Sequence, residues 1–273
     1  MANHPFDLDA LRHKTFVTDV VYRDTVESTS DLALSIAASG QHPTGPPLLI
    51  LAEQQVRGRG RHGRRWESSH GSLTFSLLFT AENSPHPDRL ASLSLATALG
   101  VSTALSDHSL TGSVCRATLK WPNDVIVDDR KICGILVEST PVSSGPSHHA
   151  VVVGVGINVN NRINNDLLDQ ATSLSDQLGQ PVALGDCLTT VLQHIATSIE
   201  GWQESLPDLA SRWNQASRCI GQPVTVDTSA GITSGICHGV NDSGHLLVEQ
   251  PDGSLARIAS GSIRNPGASS GST

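Results

Sequence analysis

Five of the fifteen arginines in this 273-residue chain fall between positions 57 and 65, in the run Arg57-Gly58-Arg59-Gly60-Arg61-His62-Gly63-Arg64-Arg65. A guanidinium is a planar fork of donors that pairs with phosphate or carboxylate at two points. Glycines between the arginines let the backbone reach left-handed angles and approach a ligand closely. The chemistry indicated is capture of a small, highly charged anion, with Trp66 just beyond the run able to lie against a flat group. The run is not a nucleotide P-loop, because it has no GxxxxGK[ST] pattern and no lysine beside its glycines. Mutual repulsion among the arginines predicts a mobile flap that closes when an anion arrives.

A second cluster lies downstream. The chain has three lysines, Lys14, Lys120 and Lys131. Lys120 opens Lys120-Trp121-Pro122-Asn123-Asp124, and Lys131 stands in the stretch from Asp129 to Glu138. Asn123 and Asp124 have the composition of a turn, but a carboxylate beside phosphates can also carry Mg²⁺, which favours those oxygens and keeps several waters. A third element, Gly154-Val155-Gly156-Ile157-Asn158-Val159-Asn160, sets a polar Asn158 at the end of an apolar run. None of the twelve histidines has metal-ligand spacing, and no cysteine has a partner base in the sequence.

The elements that must hold these groups follow from periodicity. Strands are expected at 19–26, 48–53, 72–79, 115–119, 124–127, 132–138 and 151–159, and helices at 32–38, 87–107, 184–206 and 208–216. After Cys219 the texture changes to short β segments separated by Asp-Ser-Gly and Asp-Gly turns, the pattern of a small β-barrel. A net charge of −8 argues against a general binder of nucleic acid or anionic membrane. No apolar run reaches the ~18–20 residues of a spanning helix. Residues Met1–Arg12 carry no secretory pattern, and five widely spaced cysteines suit a reducing cytoplasm better than a disulfide frame.

Read together, GRGRHGRRW at 58–66, KWPND at 120–124, DRKICGILVE at 129–138, GVGINVN at 154–160 and EST at 27–29 resemble the biotin–protein ligase family, over roughly residues 20–265. The resemblance implies an α+β fold: a class II aminoacyl-tRNA synthetase-like mixed sheet over 1–218, an SH3-like β domain over 219–265 and a flexible tail over 266–273. It implies an enzyme that makes biotinyl-5′-AMP from biotin and ATP–Mg²⁺, without a tightly bound prosthetic group. The biotinyl group would then pass to a lysine of a biotin carboxyl carrier protein, such as that of acetyl-CoA carboxylase.

By the same resemblance, Ser28, Thr29, Ser30, Gln55, Arg59, Gly60, Arg61 and Lys131 would hold biotin. Arg61, Arg64, Trp66, Asn123, Asp124, Lys131 and Asn158 would hold ATP, with Trp66 near the adenine, Lys120 a further phosphate contact and Asp124 the candidate magnesium carboxylate. Lys131, Arg59 and Arg61 would carry the catalysis. Arg57 ahead of the GRGR run departs from many relatives. The stretch before Glu27 is short for a winged helix-turn-helix, so DNA is not an expected partner; the charge and hydropathy make membrane an unexpected one too, and a monomer or homodimer is expected in the cytoplasm. Two other readings stay open: a lipoate–protein ligase-like enzyme, and an RNA-binding module built on the RG-rich loop.

Overall fold

The computed structural model describes residues 5–40, 46–81, 84–112, 115–142, 148–204 and 206–264, with the backbone alone at 201–204, 206 and 207. The expected tail over 266–273 lies outside the described residues. The first body contains α1 (Leu8–Lys14), β1 (Asp19–Val26), α2 (Thr29–Ala38), β2 (Leu48–Gln55), β3 (Leu73–Ala81), α3 (Pro87–Leu105) and α4 (His108–Thr111). It continues through β4 (Thr118–Lys120), β5 (Asp124–Val127), β6 (Arg130–Pro141), β7 (His149–Ile157), α5 (Leu174–Leu178), α6 (Leu184–Glu204) and α7 (Leu206–Ala216). The second body contains β8 (Pro223–Thr228), β9 (Gly231–Val240), β10 (Leu246–Glu249), β11 (Leu255–Ile258) and β12 (Ser262–Ile263).

The large sheet runs β1-β2-β3-β7-β6-β5-β4. β1 and β2 are parallel, joined across α2, and every other pair is antiparallel. One face packs on α3, α6 and α7, where Phe75, Leu77, Val153, Leu99, Leu192 and Trp213 share the main core. α3 and α6 cross closely at Gly100, where a Cβ would lie 2.7 Å from the Cα of Ile195. The opposite face is covered only in part. α2 lays Ala33 and Ala37 on Ile50, Leu78, Ala150 and Val152, and the rest of that face stays open. Ser28 starts α2 by accepting from the backbone N–H of Asp31, so the helix begins three residues before the apolar periodicity suggested.

The small sheet runs β11-β10-β9-β8-β12, all antiparallel. It shares the main core with the first body through Val226, Cys237, Val240 and Leu246, and side chains of Asn214, Trp121 and His245 add polar links. Asn214 donates to the Val240 carbonyl at 3.0 Å and accepts from the Val240 N–H at 2.8 Å. The indole N–H of Trp121 donates to the Gly244 carbonyl at 3.1 Å, and His245 Nε2 lies 3.0 Å from Asp88 Oδ1.

Periodicity placed a strand at 115–119, but β4 covers only 118–120. The backbone of Ala117 is taken by the end of α3: Ser102 donates to its carbonyl at 2.7 Å and its N–H donates to Ser106 at 3.1 Å. α1 was not anticipated. It is a short helix, capped by Asp7 and anchored by the buried Leu11.

Candidate functional site

The site is built on sheet register. One row crosses the open face as Thr74, Gly156, Gly134, Asp124 and Lys120. The next row is Ser76, Gly154 and Leu136. Side chains alternate along a strand, so these are every-second positions on one face. At its centre three glycines supply no side chain, and the floor is bare backbone. A Cβ at Gly154 would sit 2.6 Å from Ser30 Oγ, and one at Gly156 would sit 2.4 Å from the Trp66 ring. The result is a trough of about 1330 Å³ that runs across the strands under α2, the arginine run and the rim of the small sheet.

The end of the trough beneath α2 is a network of hydroxyls. Ser76 donates to Thr29 Oγ1 at 2.8 Å and lies 3.1 Å from Ser30 Oγ. Gln55 Oε1 accepts from the Thr29 N–H at 2.7 Å and from its hydroxyl at 3.1 Å. Ser28, Thr29 and Ser30 are all buried. This end offers small, fixed donors and acceptors, suited to a compact polar head group.

The other end is cationic. Asp128 and Asp129 both adopt positive φ, at 48° and 64°, in the two-residue turn between β5 and β6, a geometry Asp tolerates. That turn delivers Lys131 to the face, with its Nζ 2.5 Å from Asp124 Oδ1 and 5.7 Å from the Trp66 ring centroid. Its backbone is held from the other side, where the Lys131 N–H donates to the Gln170 carbonyl at 2.7 Å. Lys120 and Arg61 are both half-buried, and desolvation pulls each below its ordinary pKa, with the Asp124 carboxylate opposing that shift. Lys120, Arg61, Arg64 and Lys131 thus converge on one end of the trough around Asp124, with Asp129 and Asp227 also lining it.

The arginine run is an ordered hairpin. Gly60 N–H donates to the Arg64 carbonyl at 2.7 Å and Trp66 N–H to the Gly58 carbonyl at 2.9 Å, around a tight turn over Arg61–Gly63. Gly58 is required by close approach, since its Cβ would lie 2.4 Å from the Trp66 carbonyl. Neighbouring groups take up four of the five arginines. Arg57 lies 3.4 Å from Glu27, Arg65 donates to the Val56 carbonyl at 2.9 Å, and Arg61 reaches the Gly261 carbonyl of the second body at 3.4 Å. Arg59 donates both terminal nitrogens to Glu138 at 2.8 and 2.6 Å and sets its Nε 2.8 Å from Asp31. The Glu138 bonds raise its pKa above the ordinary arginine value.

Of the residues expected at the site, Ser28, Thr29, Ser30, Gln55, Gly60, Arg61, Arg64, Trp66, Lys120, Asn123, Asp124, Lys131 and Asn158 all line the trough. Asn123 is occupied as a turn residue, donating to the Ile135 carbonyl at 2.5 Å. Asn158 is buried and accepts from Asn161 at 3.1 Å. Arg59 lines the trough too, but its guanidinium is bound to Glu138, four positions along β6 from Gly134, over which the Lys131 ammonium lies. Sequence reasoning missed Ser76 and Thr74, although small polar residues alternating with Leu73, Phe75 and Leu77 were the available signal; all five are buried. It also assigned no role to Asp31 or Glu138. Among the described residues, no group of three His, Cys, Asp or Glu side chains is placed to hold a metal ion.

Residues 23–158 match the family model described as the biotin/lipoate A/B protein ligase family, and residues 219–264 match the biotin protein ligase C-terminal domain. The biotin–[acetyl-CoA-carboxylase] ligase of Paracoccus denitrificans is 30% identical over 75% of this chain and 85% of that protein. The Mycobacterium tuberculosis enzyme of the same name is 32% identical over 84% of this chain and 82% of that protein. Among solved structures, the Aquifex aeolicus biotin protein ligase in complex with biotin and ATP superposes with a TM-score of 0.73 at 28% identity, covering 91% of this chain and 98% of that one. The trough and the hairpin over it therefore belong to a known frame: the chain is a member of the biotin–protein ligase family.

Proposed function

We propose that this chain condenses biotin with ATP to give biotinyl-5′-AMP and pyrophosphate, and then transfers the biotinyl group to a lysine of a biotin carboxyl carrier protein. The observation that carries this reading is the polarity of the trough. A hydroxyl-lined end suits the ureido head group, and a cationic end lies further along the same glycine floor. An acid whose head group sits among Ser30, Ser76 and Thr29 extends its chain past Trp66 toward Lys131. The nucleotide then occupies the end bounded by Arg61, Arg64, Lys120 and Asn158.

The first step brings together two anions that repel, a carboxylate and a triphosphate. Lys131 and Arg61 lower the barrier by holding positive charge where the pentavalent phosphate gains negative charge; a preorganised donor of this kind contributes ~2.7–4 kcal/mol. The trough fixes the carboxylate for in-line attack and replaces translational entropy with binding. ATP enters as its magnesium complex, with Asp124 the carboxylate available to it once Lys131 turns to the phosphates. Trp66 and the hairpin exclude water from the acyl-adenylate, which otherwise hydrolyses. In the second step the carrier lysine, as the neutral amine, attacks the acyl carbon and AMP leaves. The five cysteines are free, and four of them are buried, in keeping with a cytoplasmic site of action. No helix is long and apolar enough to cross a membrane among the described residues.

The test is biotin-dependent exchange of label between pyrophosphate and ATP, with lipoate as the competing acid. Exchange with biotin and none with lipoate is expected. Exchange with lipoate alone would overturn the substrate assignment, and RNA retention without exchange would overturn the enzymatic one.

A further inference from the structure

The Arg59 cluster joins the hairpin to two separate elements. Asp31 belongs to the first turn of α2, and Glu138 lies on β6 beyond the glycine floor, paired with Val152. Exposed ion pairs contribute little to stability as a rule. This one departs from that rule in geometry. Both terminal nitrogens of Arg59 hydrogen-bond to one carboxylate at 2.8 and 2.6 Å, and Nε lies 2.8 Å from the half-exposed Asp31 as an ion pair without hydrogen-bond geometry. The side chains of Arg59 and Glu138 are only 33% and 29% exposed. Two carboxylates surround one cation, so the cluster carries net negative charge and is a poor anion site as it stands. It also sits beside the hydroxyl end of the trough, four positions along β6 from Gly134, over which the Lys131 ammonium lies.

We infer that Asp31 and Glu138 are positioning residues that clamp Arg59, fixing the arginine hairpin over the head-group end of the trough, and that Arg59 acts through this clamp and not as a ligand of the phosphates. The inference deepens the proposed function and rests on it. With the clamp intact, the backbone of Gly58–Gly60 forms a fixed wall over the bound head group. With one carboxylate neutralised, the wall loosens and the acid escapes before it reacts, while the phosphate end is untouched.

The experiment is steady-state ATP–pyrophosphate exchange on the full chain for Glu138→Gln, Asp31→Asn, Arg59→Gln and the double variant Arg59→Gln/Glu138→Gln, each first compared with the parent by thermal melt. We expect the KM for biotin to rise at least tenfold in Glu138→Gln and Arg59→Gln, with the KM for ATP within twofold and kcat within threefold. We also expect the double variant to be no worse than the poorer single one, since both remove the same clamp. Should Glu138→Gln fail to fold, Asp31→Asn is read by the same criteria. A raised KM for ATP or a collapsed kcat in Arg59→Gln, with Glu138→Gln near parental, would overturn the inference and return Arg59 to the phosphates. Additive losses in the double variant would also overturn it. A parent protein with no biotin-dependent exchange would overturn the proposed function itself, whereas normal exchange with an unchanged biotin KM in the variants sinks the clamp alone.

Discussion

Gly156→Ala adds one methyl group to the floor of the trough, and its consequence can be worked out in ångströms. The new Cβ would lie 2.4 Å from Trp66 Cε2, 2.5 Å from Nε1 and 2.8 Å from Cζ2. Carbon atoms in contact settle at ~3.5 Å, so the indole must recede by about 1 Å or tilt off the floor. The obstacle is the body of a half-buried ring, not the tip of a flexible chain, and β7 is central in the sheet and cannot yield. Overpacking of this kind costs ~1–3 kcal/mol, which for a protein of this size lowers the melting temperature by roughly 2–10 °C. The catalytic loss is larger. Trp66 lies against Lys131, and a displacement of 1 Å near reacting groups can cost about 100-fold in rate. We therefore expect kcat/KM for biotin-dependent exchange to fall by about 100-fold in a protein that still folds. The double variant Gly156→Ala/Trp66→Leu should regain most of the lost melting temperature, because the three atoms nearest the new Cβ all belong to the indole. A Gly156→Ala protein with melting temperature and exchange within threefold of the parent would refute the claim that Trp66 rests on this glycine.

Three further outcomes follow from other contacts. Lys131→Ala should cut pyrophosphate exchange by about 100-fold or more, the equivalent of one charged donor; unchanged exchange would remove Lys131 from the reacting centre. Asn214→Ala removes both hydrogen bonds to Val240 and should destabilise the protein by ~1–3 kcal/mol in urea titration, since it leaves a half-buried backbone pair unpartnered; a change under 0.3 kcal/mol (roughly the scatter among independent sites) would show that these bonds do not hold the small sheet. Asp107 caps α4, and its carboxyl is lowered from 3.8 to about 2, first by Ser109 and then by His194. A depressed pKa in the folded state contributes stability that is present above pH ~4 and lost as the pH falls toward 2. Asp107→Asn should therefore flatten the pH dependence of the melting temperature between pH 4 and 2, and an unaltered acid limb would exclude Asp107 from acid unfolding.

What could be read along the chain was what depends on near neighbours. The alternation in β3, the apolar run of β7, the long Ala/Leu helix and the Asp-Gly turns of the second sheet were all visible, because each is fixed by local period and local turn chemistry. So was the identity of the cationic groups, since five arginines on glycine spacing and a lone pair of lysines can be counted in one dimension. Partnership could not be read in this way. Arg59 and Glu138 are 79 positions apart, and only the pairing of β6 with β7 and the seating of α2 decide that one takes up the other. The same register turns Gly134, Gly154 and Gly156 from apparent backbone slack into the floor of a binding trough, with Ser76 beneath a helix 46 residues away. Charge that reads as a self-repelling flap in the sequence is, once folded, partly taken up by groups far along the chain, Glu138 for Arg59 and the Gly261 carbonyl for Arg61. Electrostatic and packing partners are set by distance in space, and that distance exists only after the sheet has formed.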